Sequence, residues 1–366
     1  MNKVLFITPL LWNGGAERVV SILSNSLNQK GVEVGIFVYK PSEYDYFVSP
    51  EVKRYTFPFS WQDIKGNRLS VIFKRLKVLR QTIRDFQPDV CIPFLDIALI
   101  DTWAASIGLG VPYISTCRNT PEIGTFFHEV IKKIAFSRSK ALFLQTEEQR
   151  QFFSKRLLKK SFVVSNPINE RFLTAGENRI YNNVIKKIIS CGRLDNEQKN
   201  YEILIKAVSI VHENYQNVTL DIYGCGPDEG LLQDLIKRLD AQDYIKLRGY
   251  VPDTLEVLKE ADLFVLTSNY EGQPNALMEA MAVGVPVCST DCPTGPSGLI
   301  GNDCERGYLV PVNDIPALVK AINNTIVNAD VAKEKAIKAR LFMKANYSPD
   351  FISNKLQDEI YRVTGL

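Results

Sequence analysis

Leu263-Phe264-Val265-Leu266-Thr267-Ser268-Asn269-Tyr270-Glu271-Gly272-Gln273-Pro274-Asn275-Ala276-Leu277-Met278-Glu279-Ala280-Met281-Ala282-Val283-Gly284-Val285-Pro286-Val287 reads as a strand, a tight loop, a helix and the start of a second strand. Residues 263–267 are apolar and bounded by turn signals, while Gly272, Pro274 and Asn275 punctuate the loop. The same alternation continues outward. Short β-branched runs stand at 185–191, 218–223, 245–247, 263–267, 285–289 and 308–310, with helical patterns such as 202–212 and 231–239 between them. An earlier series stands at 4–8, 32–38, 90–93, 113–116, 141–145 and 162–164. Strands alternating with helices predict the α/β class, as two doubly wound, Rossmann-like parallel sheets.

Between the two series, Asn166-Pro167-Ile168-Asn169 and the polar residues 174–183 lose periodicity and collect turn formers. The expected organisation is a first domain over 1–170, a linker over 171–183 and a second domain over 184–347. Beyond Leu309 the pattern is helical, over 314–328, 331–346 and 349–363.

Two domains also suit a chain of 366 residues, and 45% hydrophobic residues exclude disorder. The longest uncharged run, 102–117, has 16 residues and contains Gly108, Gly110 and Pro112, short of the roughly 20 a membrane span needs. Residues 4–12 follow Lys3 in the manner of a signal peptide, but the next residues offer no cleavage site, so a buried first strand is expected. Seven cysteines without a Cys-x-x-Cys pair suit reduced thiols and a cytoplasmic setting. The net charge of +3 hides an asymmetry: residues 1–175 carry 24 Lys and Arg against 15 Asp and Glu, and the remainder 20 against 26. A basic first half suits an anionic membrane surface, phosphates or nucleic acid, and sign alone does not choose.

Open parallel sheets bind ligands at the carboxyl ends of their strands, where helix N-termini carry partial positive charge. The loop at Gly272, Pro274 and Asn275 places such a helix start, with Ala276 in its first turn, and it suits a phosphate. Glu271 before the loop and Glu279 one turn inside the helix can flank the ligand as acceptors for sugar and ribose hydroxyls. At the end of another run, Cys191-Gly192-Arg193-Leu194 followed by Gln198-Lys199-Asn200 brings a forked cation and a point cation to the mouth of the sheet.

Taken together, Glu271, seven residues and Glu279 in their Gly-Gln-Pro-Asn-Ala-Leu-Met-Glu context resemble the signature of the retaining GT-B glycosyltransferases of family 4. The resemblance covers nearly the whole chain and is specific mainly at 190–200 and 268–291. It implies the GT-B fold, two Rossmann-like domains facing across a cleft, with the last helix, about 348–366, packed back on the first. It implies a hexose or N-acetylhexosamine moved from a nucleotide sugar, by resemblance a UDP-sugar, to a growing lipid-linked cell-surface glycan of the capsule or O-antigen kind. Arg193 and Lys199 then hold the donor diphosphate, Glu271 orients the sugar, and Glu279 binds the ribose. Tyr223-Gly224-Cys225-Gly226 and Arg248-Gly249-Tyr250-Val251 match in order, with Gly224 at the donor and Val251 beside the base. Gly14 and Gly15 resemble the loop that approaches the donor phosphates.

One departure stands out. Many relatives place a histidine after the fourth strand of the first domain, where this chain reads Thr116-Cys117-Arg118-Asn119, and the only histidines are His128 and His212. Arg118 and Asn119 are therefore the candidates for contacting the transferred sugar, leaving phosphate or acceptor. No Asp-x-Asp occurs, and Asp291-Cys292 lacks the ligand number of a metal site, so neither metal nor other cofactor is expected.

Residues 68–84 place Leu69, Ile72, Phe73, Leu76, Leu79 and Ile83 on one helical stripe amid Arg68, Lys74, Arg75, Lys77, Arg80 and Arg84. Packing on the protein's own sheet and docking on an anionic inner leaflet both explain that pattern. The expected partners are thus a UDP-sugar, a glycan or polyprenyl-diphosphate-linked acceptor and an anionic membrane, not nucleic acid. A nicotinamide oxidoreductase through Gly224 and Gly226, a GT-B phosphorylase or epimerase, and a catalytically silent glycan-binding subunit remain alternatives.

Overall fold

The computed structural model describes residues 3–12, 14–57, 68–118, 126–181 and 184–365, which form two compact units. The first comprises residues 1–167 with 349–366, the second residues 168–348.

The first unit carries β1 (Lys3–Thr8), β2 (Glu33–Val38), β3 (Lys53–Thr56), β4 (Val90–Pro93), β5 (Ile114–Thr116), β6 (Ala141–Leu144) and β7 (Ser161–Val163). They pair in the orders β3-β2-β1-β4 and β5-β6-β7, all parallel, and a bridge between Cys91 and Tyr113 joins β4 to the residue before β5. Register is set by apolar runs buried on both faces, as Val4 pairs with Val34 and Val90. Alternate residues of β1 serve opposite cores. Val4 and Phe6 meet Val20 and Leu23 of the helix Gly15–Gln29 together with Ile352 and Leu356 of the final helix, Pro349–Thr364. Leu5 and Ile7 join Leu79, Ile83 and Leu99 on the other face. Strand order reverses between β1 and β4, which opens the carboxyl ends of those strands to a ligand.

The second unit is one parallel sheet, β10-β9-β8-β11-β12-β13, built from β8 (Lys187–Cys191), β9 (Thr219–Tyr223), β10 (Ile245–Gly249), β11 (Leu263–Leu266), β12 (Val287–Thr290) and β13 (Tyr308–Val310). Ile188 and Val265 face a core with Leu204 and Val208, while Ile189 and Phe264 face Leu277 and Met281. The order reverses between β8 and β11, whose loops carry Arg193, Lys199 and Glu271.

Three expectations change. Lys53–Thr56 is a strand that no apolar run announces, because it is an edge strand with mostly exposed residues. The linker expected at 171–183 is in its first half a helix, Glu170–Glu177, capped by the Asn169 side chain. Phe172 and Leu173 bury it in the second unit's core, and Gly176 is there because a Cβ would stand 2.1 Å from the Ala282 carbonyl. On the helix Arg68–Phe86 the inward stripe is Val71, Arg75, Leu79, Thr82, Ile83 and Phe86, whereas Ile72 and Phe73 are exposed. Arg75 belongs inside because Asp101 pairs with it, Nε to Oδ2 at 2.5 Å and Nη2 to Oδ1 at 3.0 Å. Among the described residues no helix is long and apolar enough to cross a membrane.

Candidate active site

In the second unit two loops are stitched together before any ligand enters. β8 ends at Cys191, and a short helix, Asn196–Lys199, follows with Asp195 as its cap. Asn200 then takes a left-handed conformation, φ 49°, to start the next helix. This turn is fixed to the loop after β11: Asn269 donates its backbone N to the Gln198 carbonyl at 2.7 Å, and Thr267 Oγ1 donates to the Lys199 carbonyl at 2.9 Å. Asn200 Nδ2 also donates to Asn269 Oδ1 at 3.0 Å and to Asn313 Oδ1 at 2.6 Å. Both ends of the Lys199 turn are therefore held by neighbouring loops.

The side chains converge accordingly. Lys199 Nζ lies 2.5 Å from Glu271 Oε1, a largely buried ion pair, and Ser268 Oγ donates to the same oxygen at 2.7 Å. Beneath them Thr294 donates to the Glu271 carbonyl, and Gly295, φ 96°, lies so close to Pro274 that a Cβ would stand 2.6 Å from its Cδ. Gly272, Gln273 and Pro274 are buried, and the helix Asn275–Val283 starts directly after them with Asn275 and Ala276 half-buried. Glu279, 4% exposed, accepts from Thr254 Oγ1 at 2.8 Å. Thr254 opens the helix that follows β10 three residues after Val251, so one hydrogen bond ties the Val251 segment to Glu279. Arg193 is exposed and has no ion pair among the described residues.

Gly224 has a structural role that the sequence does not show. Its φ is 142°, and a Cβ would stand 1.8 Å from the Gly192 carbonyl oxygen; at Gly226 a Cβ would stand 2.3 Å from that of Leu194. The loop after β9 thus lies directly on the Arg193 loop, with Gly192 N donating to the Tyr223 carbonyl at 3.0 Å and Leu194 N to that of Cys225 at 3.1 Å. Cys292 offers no thiolate chemistry, because burial, with Glu271 nearby, pushes its thiol up to about 12.

The first unit holds Gly14, Gly15 and Arg118 at the carboxyl ends of its strands; Asn119 lies outside the described residues. Gly14 caps the helix Gly15–Gln29, and Glu17, its third residue, folds back so that Oε2 lies 1.9 Å from where a Gly14 Cβ would be. Burial holds the Glu17 carboxyl above its usual range, opposed by a backbone hydrogen bond. The Glu17 carboxyl thus lies against the helix start where the phosphate approach is expected. Arg118 is buried between Phe94 and Phe143. His212 stacks on Tyr244 with centroids 3.5 Å apart, a packing role.

Sequence reasoning did not single out Ser268, Thr254, Thr294, Gln145 or Asn166. For Thr254, Thr294, Gln145 and Asn166 the signal is tertiary, a contact with a residue more than twenty positions away, whereas Ser268 donates to Glu271 within its own loop.

A family model described as Glycosyl transferases group 1 matches residues 185–328, and one described as Glycosyltransferase Family 4 matches residues 13–177. The chain belongs to the GT-B glycosyltransferases. The transferase is 30% identical over 253 residues to an uncharacterised glycosyltransferase of Methanocaldococcus jannaschii, a match that spans 63% of this chain and 62% of that protein. It is 27% identical over 345 residues, 93% of each chain, to a Campylobacter jejuni α-1,4-N-acetyl-D-galactosaminyltransferase whose name specifies a diphospho-undecaprenol-linked glycan. Its fold matches Anabaena HepE, solved in complex with UDP-glucose, at TM-score 0.81 and 16% identity, covering 99% of this chain and 100% of that one.

Proposed function

We propose that this transferase moves a hexose or N-acetylhexosamine from a UDP-sugar, with retention of configuration, to a growing lipid-linked glycan of a bacterial cell-surface polysaccharide. The observation that carries the site assignment is the Lys199–Glu271 ion pair, set at the carboxyl end of β8 and next to the helix start at Asn275, with Glu279 one turn inside. The Campylobacter relative's lipid-linked substrate and the UDP-glucose complex of HepE support the choice of acceptor and donor class.

In this reading Arg193 and Lys199 hold the diphosphate beside the Asn275 helix start, Glu271 orients the sugar, Glu279 accepts from the ribose, and the backbone near Val251 seats the base. The bond from the anomeric carbon to the diphosphate oxygen breaks, and a bond to the acceptor hydroxyl forms on the same face. The acceptor proton passes to the departing diphosphate. Glu271 already accepts from Lys199 and Ser268, so the protein's main task is to stabilise the charge growing on the leaving group through Lys199, Arg193 and helix N–H groups. Those cations do the work without a divalent metal. UDP-sugars are expected to raise the melting temperature more than GDP-sugars, with UDP release dependent on acceptor. A panel in which no UDP-sugar stabilises the protein, or in which release ignores every acceptor, would sink the reading.

The transferase also docks on an anionic membrane through its first unit. Phe73, 71% exposed, and Ile72 lie on one helix, and Val130, Ile131 and Ile134 lie exposed on the helix Phe126–Arg138, with Lys77 and Lys133 among them. Apolar side chains interleaved with cations suit the boundary of anionic headgroups and acyl chains. Other basic residues are committed internally: Lys132 pairs with Asp96 and Glu129, and Lys160 donates to the Phe136 and Ser137 carbonyls. The protein is expected to co-sediment with phosphatidylglycerol vesicles several-fold more than with phosphatidylcholine, and Phe73→Ser to reduce that difference. Equal recovery with both vesicles counts against docking.

A further inference from the structure

Two arginines of the first unit are buried to the same degree, Arg75 at 6% exposure and Arg118 at 7%, yet they are treated differently. Arg75 has Asp101 as a carboxylate partner. Arg118 has none among the described residues: its Nη1 donates to the neutral Asn166 Oδ1 at 3.1 Å, and its Nε and Nη2 have no hydrogen-bond partner. The group is nonetheless held firmly. Its guanidinium carbon lies 3.9 Å from the Phe94 ring centroid and 4.3 Å from that of Phe143. Asn166 Oδ1 also accepts from Gln145 Nε2 at 2.9 Å, and Gln149 Oε1 accepts from the Gln145 backbone N at 2.7 Å. These supports come from the carboxyl ends of β4, β5, β6 and β7, the edge at which a parallel sheet binds ligands.

A buried cation without a counter-charge is destabilising, and burial lowers the Arg118 pKa to about 9. A residue kept only for stability would have a carboxylate counter-charge, as Arg75 has in Asp101. The two orphan donors are also adjacent: Nε–H and the outer Nη2–H form the side-on edge of the guanidinium, which matches two oxygens of one anion.

We propose that Arg118 is a pre-aligned receptor for a two-oxygen anion, clamped between Phe94 and Phe143, with Asn166 and Gln145 as its positioning residues. The anion is a phosphate group or the carboxylate of an acidic sugar, and only the choice of these two sources rests on the glycosyltransferase reading. The site distinguishes this chain's ligand from a neutral sugar hydroxyl, which would leave the charge uncompensated.

The test uses the full chain, with melting temperature and calorimetry in inorganic phosphate, inorganic diphosphate and glucuronate. One of these anions is expected to stabilise the wild type, and Arg118→Met to weaken that binding at least tenfold while melting no lower than wild type without anion. A preference for the phosphates assigns the source to a diphosphate group, and a preference for glucuronate to an acidic sugar. Asn166→Asp, which supplies an internal carboxylate at Nη1, is expected to raise the melting temperature and weaken the anion. An Arg118→Met chain that is strongly destabilised, or anion effects equal in wild type and variant, overturns the proposal. UDP, whose proposed contacts lie in the second unit, is a separate arm. UDP binding without an Arg118-dependent anion defeats this inference alone, and the converse defeats the donor assignment alone.

Discussion

Lys199→Ala is expected to lower kcat/KM for sugar transfer by about 10²–10³-fold, the scale of losing one charge-stabilising donor in a transition state. The structure adds a complication that the sequence could not show. Removing Lys199 also takes the cation from the buried Glu271 carboxylate, to whose Oε1 Ser268 Oγ still donates. A stability loss of about 1–3 kcal/mol should therefore accompany the kinetic loss. The double variant Lys199→Ala with Glu271→Gln separates the two effects, because it removes the carboxylate charge without restoring the cation. Its melting temperature should recover toward wild type while transfer stays low. Recovery of activity together with stability would make the pair structural. Full activity of Lys199→Ala with every nucleotide sugar that the wild type uses would remove the site assignment altogether.

The ion pair also refines what the two residues do. A free lysine would offer a full charge to the donor, whereas here the ammonium is already shared with Glu271, and Arg193 is exposed. Bound diphosphate would compete with Glu271 for Lys199, and a carboxylate partly released from the ammonium is a better acceptor for a sugar hydroxyl. Glu279→Ala should behave differently from Lys199→Ala, since it removes an acceptor of the neutral Thr254 hydroxyl, whereas Lys199→Ala removes the ammonium paired with Glu271. Its effect should fall on nucleotide binding.

Much of the fold was legible because the central parallel strands, buried on both faces, are continuous apolar runs, and the twelve short runs of the sequence correspond to twelve of the thirteen strands, the partly exposed β7, β10 and β13 included. The exception, Lys53–Thr56, owes its pairing to β2 rather than to its own composition. The helix Glu170–Glu177 was hidden because eight residues with two apolar anchors give too short a period, and Gly176 reads as a break when it is a close approach to another helix. The Glu271 and Glu279 loop was legible because its glycine, proline and asparagine mark geometry locally. What was not legible depends on a second chain segment: Lys199 on Glu271, Thr254 on Glu279, and the burial of Arg75 and Arg118. A charge in a sequence window is read as solvated, and only the neighbours across the sheet show otherwise.

Gly224 tests where a glycine motif stops being about ligand and starts being about the protein. Its place in the Tyr223-Gly224-Cys225-Gly226 turn resembles a ligand-binding turn, yet the nearest obstacle to a side chain is the chain itself: a Cβ would stand 1.8 Å from the Gly192 carbonyl oxygen, and φ is 142°. That oxygen is backbone, so relief requires the 192–194 segment to move away from β9 and to give up the hydrogen bonds at 3.0 and 3.1 Å that hold it. Strain at such a φ together with forced overpacking is expected to destabilise Gly224→Ala by about 3–5 kcal/mol. Because the displaced segment carries Arg193, nucleotide affinity should fall with stability. Glycine at 226 should be almost as strict, its Cβ position being 2.3 Å from the Leu194 carbonyl, whereas Gly230 has nothing within 4 Å and should accept alanine freely. Unfolding curves of the three alanine variants check the order. A Gly224→Ala chain as stable as Gly230→Ala, but unable to bind nucleotide, would instead make Gly224 a ligand-contact glycine and overturn the structural account.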